Sequence, residues 1–84
     1  MKLNSELKAA IMEVVDKQIN HNDPPETRQT LDRLVAEKIS EEDAKIHIGQ
    51  AISVEIRDVM NNKKTFNQKR YLRNLKNLPT EPQK

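Results

Sequence analysis

The sequence predicts an all-α chain, a compact four-helix domain built from three main helices and a short C-terminal amphipathic helix. Three observations predict it. There is one glycine in 84 residues, three of the four prolines stand beside expected helix ends, and no segment alternates apolar and polar residues over the length of a strand. Apolar residues recur at helical spacing instead. The length allows one small domain, residues 1–78, which buries roughly 60–65% of its unfolded surface. Residues 79–84, beyond the last expected helix, are expected to form a disordered tail. With 35% hydrophobic residues, no Trp, one Tyr and one Phe, the core must be aliphatic.

The first helix is expected from Asn4 or Ser5 to Asn20, with Leu3, Leu7, Ala10, Ile11, Val14, Val15, Gln18 and His21 on one face. The turn "HNDPPETRQTL" opens the second. Asp23 reads as its N-cap, Pro24 as its first helical residue and Glu26 as the partner in a capping box. It runs to about Glu37, with Thr27, Leu31, Leu34 and Val35 inward. In "ISEEDA", Ser40 caps the third helix, Ile39 staples it, and Glu41, Glu42 and Asp43 favour the positive end of its dipole. That helix runs to Met60 or Asn61, with Ala44, Ile48, Ala51, Ile52, Glu55, Ile56 and Val59 sharing a face. After "NNKK", Asn67 caps residues 66–78, Phe66 staples onto Tyr71, and Tyr71, Leu72, Leu75 and Leu78 form an apolar seam.

Net charge is +2, unevenly shared. Residues 1–61 carry eight Lys/Arg against twelve Asp/Glu, a balance of −4, and residues 62–84 carry seven against one, a balance of +6. The stretch "KKTFNQKRYLRNLKNLP" therefore reads in two ways. It is a helix that docks its seam on an acidic body, or a nucleic-acid-binding face formed by Lys63, Lys64, Lys69, Arg70, Arg73 and Lys76, with Phe66 or Tyr71 stacking on bases. Docking is the expected arrangement, because a helix this short is marginal alone.

Chemistry has few candidates. Without cysteine there are no disulfides, thiolate ligands or thiol nucleophiles. The lone Gly49 makes no phosphate-cradling loop and serves instead the close approach of another helix. Ser5, Ser40 and Ser53 have no base beside them. His21 and His47 are the only histidines; Asp43 and His47 stand four apart, but no HExxH pattern occurs. No metal, cofactor or catalytic activity is expected. A polar core network of Gln18, His21 and Glu55 is, since a carboxylate on an apolar stripe needs a partner: Gln18, with His21 or an arginine nearby. No signal peptide and no run of about 18 apolar residues is found, so the expected location is cytoplasmic.

The span from Met12 to Val59, followed by "FNQKRYLRNLKNLP", resembles an uncharacterised family of small helical bacterial domains of unknown function. The resemblance rests on Glu13 and Gln18, the Asn22–Glu26 turn, Ile39-Ser40, Ala44, Gly49, Glu55, Phe66, Tyr71 and Leu78-Pro79. The family often carries histidine where this chain has Met12 and glycine where it has Lys38. It implies the helical fold and supplies no activity. The expected role is a non-enzymatic protein-interaction or regulatory domain. Its partner is another protein or a second copy, the latter motivated by Met12 and Ile19 on the flank of the first helix and Ile46 on the third. Weak nucleic-acid binding through residues 63–76 is the alternative.

Overall fold

Among the described residues, four helices form close to where the start signals place them. The computed structural model describes residues 5–83, with α1 at Ser5–His21, α2 at Pro25–Ala36, α3 at Glu41–Asn62 and α4 at Gln68–Asn77. Leu3, Asn4 and Lys84 lie outside the described residues, as does the side chain of Ser5. No strand occurs among the described residues. α3 is the central element: α1, α2 and α4 all pack on it, and α4 also touches α2. The radius of gyration, 12.0 Å, is that of a compact domain of this length.

Two of the expected caps are present. Ser40 Oγ accepts the Asp43 N–H at 3.1 Å, and Asn67 Oδ1 accepts the Arg70 N–H at 3.0 Å. The third is corrected: Asp23 does not cap α2. Pro24 occupies that position with no side-chain bond, its carbonyl accepting the Thr27 N–H, and the helix starts at Pro25. Proline at the first helical position has no N–H to leave unsatisfied, so the start tolerates the missing cap.

α1 and α2 stop in the same way. Asp23 N–H bonds the Gln18 carbonyl and Asn22 N–H that of Ile19; Ile39 N–H bonds the Leu34 carbonyl and Lys38 N–H that of Val35. These are Schellman stops, and each needs a left-handed residue. Asn22 adopts it at φ 53° and Lys38 at φ 71°. Asparagine tolerates that region; lysine does so at a cost.

The core is aliphatic around one buried aromatic ring. Ile11, Val15 and Ile19 of α1 meet Leu31 and Leu34 of α2 and Ala44, Ile48, Ala51 and Ile52 of α3, with Tyr71, Leu75 and Leu78 closing over them. A Cβ on Gly49 would lie 3.3 Å from Met12 Sδ and 3.4 Å from Ile11 Cγ2, so the glycine does serve the approach of α1 to α3. Ile19 belongs to this core rather than to the flank of α1, and Met12 and Ile46 are half-buried. Val35 and Val59, expected inward, are instead 45% and 39% exposed, and Thr30 takes an inward place on α2. Its hydroxyl can be buried because it bonds the Glu26 carbonyl one turn back at 2.7 Å.

Docking is the arrangement α4 adopts. Tyr71, Asn74, Leu75 and Leu78 are buried, and the Phe66 and Tyr71 rings meet edge-to-face at 5.5 Å. Arg33 of α2 donates to the Leu75 carbonyl at 3.0 Å and the Lys76 carbonyl at 3.4 Å, placing a cation at the negative end of α4. The tail expected to be disordered is described through Gln83, which folds back so that its N–H and carbonyl bond the Asn74 side chain.

Candidate functional site

The expected polar network separates into two clusters. The first joins α3 to α4. Glu55 is fully buried, and both its oxygens are satisfied. Oε2 accepts Arg70 Nε at 2.6 Å, while Oε1 accepts Arg70 Nη2 at 2.8 Å and the Asn67 N–H at 2.9 Å. The guanidinium thus meets the carboxylate side-on through two parallel bonds, the strong geometry for such a pair. Arg70 Nη2 also reaches Asp58 Oδ2 at 2.5 Å, and Asn62 donates to Asp58 Oδ1 at 2.8 Å. The bond from Arg70, then that from Asn62, holds the Asp58 carboxyl below its usual range. The bonds to Glu55 and then Asp58 raise Arg70 above its ordinary value, so it stays charged throughout.

The second cluster is neutral and joins three helices. The Tyr71 hydroxyl donates to Gln18 Oε1 at 2.7 Å, the Thr27 hydroxyl donates to the same oxygen at 2.8 Å, and the two hydroxyls stand 2.9 Å apart. Burial pushes the Tyr71 phenol up to about 12, against a smaller opposing effect of the Thr27 bond. The side chain spans from α4 to α1, helices whose backbones are not neighbours.

Three sequence expectations are corrected here. Gln18 does not pair with Glu55; each has its own partners. His21 joins neither cluster and is exposed. Arg70 is not part of an exposed basic face, because it is the arginine that Glu55 required. The other five cations of that face, Lys63, Lys64, Lys69, Arg73 and Lys76, are exposed, as sequence reasoning placed them. Asp58 and Thr27 are cluster members that reasoning missed. Their signals were a second acid three residues past Glu55 and a hydroxyl on the inward stripe of α2.

No protein-family model matches the chain, and neither does any curated protein or solved structure. Its function must be read from the residues.

Among the described residues, no three His, Cys, Asp or Glu side chains gather as a metal ion requires. His47 is half-buried, with Nδ1 lacking a hydrogen-bond partner among them. No helix in the described residues is long and apolar enough to cross a membrane. The outer face of α4 is one of the surfaces whose charges stay unengaged among the described residues. At 100° per residue, Lys76, Lys69 and Arg73 fall within an arc of about 60°, with half-buried Leu72 on one shoulder and Arg70 on the other. None of these three cationic side chains makes an ion pair among the described residues. Leu72 faces a groove of about 390 Å³ between α2 and α4, lined also by Gln29, Arg33, Leu75 and Lys76.

Proposed function

We propose that this chain is a small non-enzymatic protein-interaction domain of the bacterial cytoplasm, working through the outer face of α4. One observation carries the reading: the two polar clusters under α4 are closed on themselves, while Lys69, Arg73 and Lys76 of α4 remain outside them and make no ion pair among the described residues. A carboxylate held by an arginine and a backbone N–H, and a phenol kept protonated, are poor acids, bases or nucleophiles. Their role is to fix α4 in place. A rigidly held helix with an exposed charged ridge suits recognition.

Nucleic acid fits that ridge less well. Tyr71 is fully buried and Phe66 packs on its ring, so neither is presented for stacking on a base. Arg70, one of the six cations of the expected basic face, is taken by Glu55 and Asp58.

The test is photo-crosslinking in cells, with a benzophenone amino acid placed singly at Lys69, Arg73 or Lys76 on α4 and at Glu13 or Asp32 on other faces. Discrete protein adducts that survive nuclease are expected from the α4 positions. Adducts from no position, or adducts to nucleic acid alone, would overturn the reading.

A further inference from the structure

The geometry points to a specific partner chemistry for α4: an acidic amphipathic helix of another protein. Its carboxylates would lie on Lys69, Arg73 and Lys76, and one aliphatic side chain would enter the α2–α4 groove against Leu72 and Leu75. This rests on the interaction-domain reading above.

The charges of α4 conflict with its own helix. Lys69 and Arg73 stand four apart and Arg73 and Lys76 three apart, so like charges are neighbours along the ridge. Lys69 also stands in the first turn, beside the positive end of the helix dipole, and that turn carries no acidic residue. Both features oppose helix formation. The chain's other helices follow the opposite rule, with Glu6 in the first turn of α1, Glu26 in that of α2, and Glu41, Glu42 and Asp43 in that of α3. A local arrangement that works against its own element is expected where a surface is functional or strained. Carboxylates from outside would relieve it.

The spacing and the shoulder select the ligand. Lys69 and Lys76 are about 10 Å apart along the axis, two turns of helix, which matches carboxylates repeating at i, i+4 and i+7 on a facing helix. Leu72 lies between them in sequence and opens onto the groove, giving an apolar seat that a bare polyanion does not use. The one acid lining the groove, Glu26, belongs to α2 and steers partner carboxylates to the α4 side.

The probe is a synthetic helical peptide of about 14 residues with glutamates at i, i+4 and i+7 beside one leucine stripe. It is compared with the same peptide carrying serine for leucine, and with single-stranded DNA of equal charge, by amide-resolved NMR titration of the full chain. The leucine peptide is expected to move Gln29, Lys69, Leu72, Arg73 and Lys76, and to bind about tenfold tighter than the serine peptide. Lys69→Glu should weaken it about tenfold while raising the melting temperature, because the new acid suits the first turn and pairs with Arg73. A binding loss accompanied by a higher melting temperature cannot come from misfolding. Equal binding of both peptides, no shift on α4, unchanged affinity of the Lys69→Glu chain, or tighter DNA binding at the same residues would each overturn the proposal. Protein adducts confined to Glu13 or Asp32 in the crosslinking experiment would sink it too, along with the placing of the interface on α4, yet leave the chain a protein-interaction domain.

Discussion

The two polar clusters under α4 perform one task with different chemistry. Glu55–Arg70–Asp58 ties α3 to α4 through charge, with a carboxylate that has no exposed surface. Gln18–Thr27–Tyr71 ties α1, α2 and α4 through neutral groups sharing one acceptor oxygen. The difference lies in what a broken bond leaves behind. Removing a neutral partner leaves a dipole that the remaining members still engage. Removing Arg70 leaves a desolvated anion, and an unpaired buried charge is far more costly than the pair was worth.

The largest effect should therefore come from Arg70→Ala, which is expected to cost about 3–5 kcal/mol by urea denaturation. Adding Glu55→Gln to that variant should recover a large part of the loss, since Gln removes the charge and keeps an acceptor for the Asn67 N–H. A double variant no more stable than Arg70→Ala would break the comparison, because the loss would then come from packing.

Tyr71→Phe should cost about 1 kcal/mol, as Thr27 and Gln18 keep their mutual bond and the ring keeps its contact with Phe66. It should also change the alkaline limb. The folded phenol titrates at about 12 and the unfolded one near 10, so between these values the folded state binds more protons and stability falls as pH rises. Urea midpoints from pH 9 to 12 should fall less steeply in the phenylalanine variant.

A change outside both clusters calibrates the scale. Lys38→Gly should raise stability by about 0.5–1 kcal/mol, because it relieves a left-handed lysine at the α2 stop. The smallest effect belongs to Asp58, whose folded carboxyl lies below its ordinary value of 3.8. Its contribution is present above that value and lost as pH falls through the lower folded one, since the unfolded state binds more protons there. Asp58→Asn should flatten the acid limb of the urea midpoint measured from pH 5 to 2. An unchanged slope would mean that Arg70 serves Glu55 alone.

The fold was legible because its punctuation is local. Ser40 and Asn67 cap as their side chains require, and Phe66 and Tyr71 meet across the cap between them. The rotation of each helix was less legible. In α1 the buried stripe runs through Ile11, Val15 and Ile19, rotated by about 85° from the line through Leu7, Gln18 and His21. A wheel reports which residues share a face, but where that face points depends on two neighbours at once, α2 and α3. For the same reason the need of Glu55 for a cation was readable and the identity of Arg70 was not. That required knowing that the shoulder of α4 meets the far half of α3, a contact across 15 residues.

Tyr71 has a further consequence, for the order in which the chain opens. Detaching α4 would strip Gln18 and Thr27 of a shared partner, strip Glu55 of its cation and uncover the floor of the core in one event. The opening of α4 is therefore expected to coincide with that of the whole domain. Amide protons on the inward side of α4 should thus exchange with solvent only when the whole domain unfolds, as slowly as those of central α3, although α4 is the shortest helix in the molecule.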